Sequence, residues 1–197
     1  MTFHEPANPT GDSLVLTHGA GGNCDSPLLI AVAETFAAAG ILVLRFNLAF
    51  RQGRRAGPPS PHGAKQDRQS ILAAIELLRP RTARHLLVGG QSYGGRQASM
   101  LAAETPNAAA ALLLLSYPLH PPGKPKQLRT EHFPLIRVPA LFVHGARDPF
   151  ATAEELEAAR ALIPAPTRIL EIPAAGHDLA GGRFPLAPLV DAVLAFL

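Results

Sequence analysis

Three residues in this chain, Ser92, Asp148 and His177, have the types and the order that acyl-transfer chemistry needs. Ser92 stands in Gly90-Gln91-Ser92-Tyr93-Gly94, a G-x-S-x-G pattern. The apolar run Leu86-Leu87-Val88-Gly89 precedes it, and a helix-compatible run, Gly95 to Ala103, follows. In a strand–tight turn–helix context the serine takes strained backbone angles and its hydroxyl is held out above the sheet. Flanking glycines let helix and strand cross closely. Glycine-rich turns match this pattern often, so the partners decide. Asp148 lies in Gly145-Ala146-Arg147-Asp148-Pro149, just past the apolar run Ala140 to His144. His177 lies in Ala175-Gly176-His177-Asp178, just past Arg168 to Ile172. His177 would take a proton from Ser92 and return it to a leaving group, while Asp148 holds the second ring nitrogen. Singly, each is explained as well by a turn serine, an Asp-Pro turn or a loop histidine; their joint order carries the triad. Asp178 adjoins His177, and adjacent residues rarely face each other, so it reads as a loop or cap residue.

A tetrahedral intermediate needs preorganised amide donors for its oxyanion. One is the amide of Tyr93, after the nucleophile; the other is expected from His18-Gly19-Ala20-Gly21-Gly22, with Ala20 first and Gly21 second. Walker A and dinucleotide fingerprints are absent from this glycine-rich run, so no cofactor is expected. His62, His120 and His132 lack ligand spacing, so no metal is expected. Arg51, Arg54 and Arg55 follow a strand and should lie at the rim of the site, as should Lys124, Lys126 and Arg129. They would favour anionic substrates, or simply form a solvated basic surface. Arg96, on the first turn after Ser92, would tie loops together or bind substrate, with the structural role preferred. Cys24 is a candidate pocket residue, or a small buried hydrophobe.

These groups must be carried by alternating strands and helices. Apolar runs at Ser13–Thr17, Ile41–Phe46, His85–Gly89, Ala109–Ser116, Ala140–His144 and Arg168–Ile172 read as strands. Helical patterns run from Pro27 to Ala39 with Ser26 as N-cap, and from Lys65 to Leu78 with Ile71, Leu72, Ile75 and Leu78 on one face. Another runs from Thr152 to Ile163, opened by a Thr152/Glu155 capping box, and the last from Phe184 to Leu197. Asn47–Gly63 and Tyr117–Val138 read as loops. The alternation implies an α/β fold with a mostly parallel central sheet and helices on both faces, in a single domain over residues 1–197.

Only 17% of the 197 residues are charged and 47% are hydrophobic, a globular balance. The longest apolar run, Ala108 to Leu115, is too short to span a bilayer, so no membrane partner is expected. The net charge of +3 comes from arginines spread along the chain without a basic run, so nucleic acid is not expected as a partner. A lone cysteine and no secretory-type N-terminus fit a reducing, cytoplasmic setting.

The motifs together resemble the α/β-hydrolase superfamily, and within it the small, lidless, dienelactone-hydrolase-like group. Relatives of that group include a subunit of the NSL chromatin-modifying complex. The resemblance rests on His18-Gly19-Ala20-Gly21, Asp25-Ser26-Pro27, Arg45-Phe46-Asn47, Gly53-Arg54-Arg55, Gly90 to Arg96, His144 to Asp148 and Gly176-His177-Asp178. It implies an α/β-hydrolase fold without a cap domain, since Tyr117–Val138 is too short to hold one. It also implies hydrolysis of small-molecule carboxylic esters or thioesters through an acyl-enzyme. The alternative is a non-catalytic interaction module on the same fold.

Overall fold

The computed structural model describes residues 1–54 and 56–197. Its strands are β1 (Thr2–His4), β2 (Ser13–Thr17), β3 (Leu42–Phe46), β4 (Leu86–Gln91), β5 (Ala111–Leu115), β6 (Ala140–Gly145) and β7 (Thr167–Ile172). Its α-helices are α1 (Pro27–Ala38), α2 (Ala49–Gln52), α3 (Ala64–Leu78), α4 (Tyr93–Glu104), α5 (Ala153–Arg160) and α6 (Ala187–Leu194). Among the described residues the strands form one sheet in the order β1-β3-β2-β4-β5-β6-β7. Only the β1–β3 pair is antiparallel.

Side chains alternate across the strands, so β2 sends Val15 to one face and Leu14 and Leu16 to the other. On the Val15 face, Ile71 and Ile75 of α3, Leu101 of α4 and Leu156 of α5 cover the sheet. On the opposite face, Leu29 and Phe36 of α1 and Val193 of α6 do so. Central strands buried on both sides explain their nearly continuous apolar runs.

The chain leaves β2 toward β3 on one side and later enters β4 on the other, a switch point that opens a crevice at the strands' C-terminal ends. The parallel register places Thr17 opposite Gly90, so the loop after β2 lies beside the turn after β4. Likewise Gly145 of β6 faces Ile172 of β7, which brings the loops bearing Asp148 and His177 together.

Three sequence expectations shift. Asn47–Gly63 contains the short helix α2 and a 3-10 turn at Pro61–Gly63. The closing helix starts at Ala187 rather than Phe184, with Pro188 in its first turn, where a missing N–H costs nothing. It ends at Leu194 rather than Leu197, which is 38% exposed. Ser26 occupies the N-cap position of α1, but its hydroxyl is buried and makes no cap bond. The Thr152/Glu155 capping box does form, in both directions.

Candidate active site

Ser92 joins β4 to α4 with φ 50° and ψ −117°, a left-handed φ that a non-glycine residue adopts only under constraint. Its neighbours explain how the turn closes. A Cβ on Gly90 would lie 2.7 Å from backbone atoms of Gly94 and Gly95, and one on Gly94 would lie 2.5 Å from the His18 carbonyl oxygen. Larger residues at either position would force the turn apart.

The His177 ring lies between Ser92 and Asp148. Nε2 is 2.8 Å from Ser92 Oγ, and Nδ1 is 2.8 Å from Asp148 Oδ2 and 3.0 Å from Oδ1. An ionised carboxylate only accepts, so Nδ1 carries the proton and Nε2 presents its lone pair to the serine. The Asp148 carboxylate is buried, and the Phe150 N–H donates to its Oδ1 at 2.9 Å. The Phe150 ring stacks on the imidazole, centroids 4.1 Å apart. The Gln91 side-chain amide donates to the His177 carbonyl at 3.4 Å. Asp178 accepts from the Ala180 N–H, as a cap residue does.

Beside Ser92, the loop after β2 turns at Gly19–Gly22, closed by the Gly22 N–H donating to the Gly19 carbonyl. His18 fixes its base. The ring is fully buried, accepts the Leu48 N–H at Nε2 (3.1 Å) and lies 2.8 Å from the Gly19 carbonyl through Nδ1. A backbone donor on Nε2 requires the neutral ring, and burial accordingly pushes His18 below the ordinary imidazole value. Tyr93 opens α4, where amides lack intrahelical acceptors. Its phenol donates to the buried Asp67 carboxylate of α3 at 2.7 Å, and Asp67 also accepts the Phe50 N–H at 2.9 Å. Burial first, then the Asp67 contact, raise the Tyr93 phenol well above its usual value, so it stays a donor.

Two depressions meet at Ser92 and Ala20. The larger, about 550 Å³, runs over α4 between Tyr93, Arg96, Met100 and Arg129. The other, about 380 Å³, holds His177, Gln91 and the Gly19–Gly22 turn, Gly21 included. Phe150 borders both. Among the described residues no group of histidine, cysteine and carboxylate side chains has the arrangement of a metal site.

Two expected pocket residues are placed otherwise. Arg51 is only 7% exposed and turned inward. It donates to the carbonyls of Gly22 (2.9 Å), Ala20 (3.0 Å), Gly57 (3.1 Å) and Arg54 (3.4 Å), so it braces loops and has little capacity left for substrate. Cys24 is buried away from both depressions; its N–H donates to Asn47 Oδ1, and its carbonyl accepts from Arg45. Burial raises its thiol pKa, which keeps it a packing residue. Arg54 is exposed and donates to the Pro58 carbonyl at 3.2 Å. Arg55 lies outside the described residues. His18, Asp67 and Phe150 escaped the sequence reading. The motif containing His18 pointed to backbone chemistry, Asp67 sits among helix residues without a motif, and Phe150 follows Pro149 in an unpatterned loop.

A strained serine turn after a central parallel strand, with an acid and a histidine on later loops, is the arrangement of an α/β-hydrolase fold. A family model described as an alpha/beta hydrolase domain matches residues 10–183, and the chain belongs to that family. Among solved structures, a dienelactone hydrolase from Anabaena variabilis is 24% identical, with a TM-score of 0.72 over 98% of this chain and 87% of that one. A serine hydrolase without a lid from Xanthomonas campestris is 17% identical, with a TM-score of 0.73 over 96% and 84% of the two chains. Est1E from Butyrivibrio proteoclasticus, solved with ferulic acid bound, is 17% identical, with a TM-score of 0.76 over 98% and 94%. At such identities the likeness is one of fold. As in the lidless fold, the described residues between β5 and β6 contain a single 3-10 turn, Phe133–Leu135, and no cap domain.

Proposed function

We propose that the protein is a serine hydrolase that cleaves carboxylic esters or thioesters through an acyl-enzyme. One observation carries this: His177 stands 2.8 Å from Ser92 Oγ on one side and 2.8 Å from the Asp148 carboxylate on the other. In this reading Ser92 Oγ attacks the scissile carbonyl carbon as its proton passes to His177 Nε2. The carbonyl oxygen becomes an oxyanion to which the amides of Tyr93 and Ala20 donate, with Gly21 as the alternative donor. The C–O or C–S bond then breaks, and the imidazolium returns its proton to the alcohol or thiol. Water enters, loses a proton to His177, attacks the acyl carbon and frees the acid as Ser92 is reprotonated. Asp148 keeps the ring in the required tautomer and stabilises the imidazolium throughout.

The substrate is then a small molecule that enters an uncapped cleft. No described helix is long and apolar enough to cross a membrane. The lone Cys24 fits a reducing compartment such as the cytoplasm, and residues 1–197 fit one domain. The deciding experiment is labelling with a fluorophosphonate probe. Labelling of the wild type that disappears in Ser92→Ala supports an activated serine. A folded wild type that does not label overturns the hydrolase reading and favours an interaction module. A panel of p-nitrophenyl esters and acyl thioesters then separates the two leaving groups.

A further inference from the structure

The depression over α4 contains charge that the hydrolytic machinery leaves unused. Arg96 stands one helical turn past Ser92, and Arg129 approaches from the Tyr117–Val138 connection; both line the cleft. Arg45, Arg68, Arg79, Arg81, Arg84 and Arg160 each have a carboxylate partner. Among the described residues Arg96 and Arg129 have none. Arg96 Nε is buried without a hydrogen-bond partner. The Arg129 backbone is fixed by Leu119 and the Tyr117 phenol, while its side chain makes one hydrogen bond, Nη1 to the Pro118 carbonyl at 3.2 Å.

The groups around this pair give neither arginine an ion-pair partner: the nearby Asp67 carboxylate accepts instead from the Tyr93 phenol and the Phe50 N–H. The Tyr93 and Tyr117 phenols are raised by burial and stay neutral. His132, bonded through Nε2 to Ser99 Oγ, is held at about 4 by burial and by Arg96, so it is neutral too. Glu131 is exposed on the same connection and pairs with neither arginine. Burial and the proximity of Arg96 lower the Arg129 pKa, the mark of two partly desolvated cations repelling each other. A partly buried guanidinium with a vacant donor is costly unless an anion meets it, and its planar fork suits a carboxylate.

The two depressions also divide the substrate. The leaving group must receive its proton from His177, so it belongs in the depression that holds His177. The acyl part then extends over α4 toward the arginines. We propose that Arg96 and Arg129 form a carboxylate-binding subsite for the acyl group, and that the favoured substrates are half-esters or half-thioesters of short dicarboxylic acids. Residues four apart on a helix are separated by roughly 6 Å along its axis, which keeps Arg96 close enough to Ser92 for a short acyl chain rather than a long one. This assignment rests on the hydrolase reading, which fixes which side takes the acyl chain.

The test compares p-nitrophenyl hydrogen glutarate with p-nitrophenyl pentanoate, which share acyl length and leaving group. The wild type should prefer the glutarate ester by about tenfold or more in kcat/KM at low salt, and less as salt screens the charges. Arg96→Gln and Arg129→Gln should each reduce that preference by about tenfold, toward parity between the two esters, as the loss of a charge-assisted hydrogen bond does. Equal kcat/KM for both esters in the wild type, or an unchanged preference in both variants, overturns the subsite while leaving the hydrolase reading intact. If a folded protein cleaves neither ester, calorimetric titration with glutarate reads the subsite directly. Binding weakened in Arg96→Gln supports it, and no binding at millimolar glutarate overturns it. Circular dichroism of both variants confirms folding, and Arg129→Gln serves if Arg96→Gln fails to fold.

Discussion

The sheet has an aspartate–histidine pair at each end. At the N-terminal end, Asp12 precedes β2 and His85 precedes β4; the Asp12 carboxylate accepts from His85 Nδ1 at 2.9 Å and from the His85 N–H at 3.1 Å. At the C-terminal end, Asp148 and His177 meet at 2.8 Å. Both acids are buried and both contacts use Nδ1. The difference lies beyond the ring. Past His177 stands a serine on a strained turn. Among the described residues His85 has no such neighbour, and Asp12 spends its second contact on the backbone that leads into β4. An acid–histidine pair is therefore a tie between strands by default. It becomes a candidate relay only where the fold holds a hydroxyl against the far nitrogen.

The largest effects should fall on the C-terminal pair. Ser92→Ala and His177→Ala should each lower kcat/KM on p-nitrophenyl pentanoate by about 10⁵- to 10⁶-fold, as removal of a nucleophile or base does elsewhere. Asp148→Asn, which preserves shape but permits the wrong tautomer, should cost about 10⁴-fold in kcat. His85→Ala tests the opposite end. It should leave turnover within about twofold but remove about 1–3 kcal/mol of stability in urea unfolding, because the buried Asp12 loses a partner. A collapse of turnover in His85→Ala would erase the contrast. Gly94→Ala should damage stability and turnover together, since its Cβ meets the His18 carbonyl; overpacking of this kind costs about 1–3 kcal/mol.

A third histidine sharpens the comparison by its lack of an acid. His132 bonds Ser99 Oγ instead, and its pKa falls from 6.5 to about 4, through burial first and Arg96 second. As pH falls below 6.5 the unfolded chain takes up a proton that the folded ring refuses. The fold is unaffected by this group above 6.5 and loses stability from there down to about 4. Thermal melts at pH 7.5 and 5 should show a smaller acid-induced drop in His132→Gln than in the wild type. An equal drop would assign the acid sensitivity elsewhere.

Much of this arrangement was legible in the chain. Central parallel strands buried on both faces write themselves as apolar runs, and β2 and β6 match their expected spans within a residue. Ser92 and Asp148 stood out as candidates because each follows such a run; His177 follows the edge strand β7, whose half-exposed face admits Arg168 and Glu171, and it stood out through its place after Ser92 and Asp148 in chain order. The antiparallel β1 was not: three residues, Thr2–His4, carry no periodicity, and their partners in β3 lie some forty positions away. Helix α2 is a single turn fixed by tertiary contacts, the Asp67 bond to the Phe50 N–H among them, rather than by propensity. Arg51 was misread for the same reason. Its position after a strand suggested the rim, whereas the carbonyls that draw it inward belong to loops whose proximity only the fold creates. For Arg96 the chain offered a loop tie or a substrate contact, and what distinguishes it in the fold is a buried Nε without a hydrogen-bond partner.

Arg51 also limits how this protein could be remodelled or diversify. One cation clasps the turn at Ala20–Gly22 and the stretch around Gly57, segments some thirty-five positions apart. Lengthening the stretch between Gly53 and Ser60 would therefore displace the very turn beside Ser92, although the insertion itself would sit at the surface. Loop grafts aimed at new specificity belong elsewhere, on the connection between β5 and β6, which this clasp does not reach.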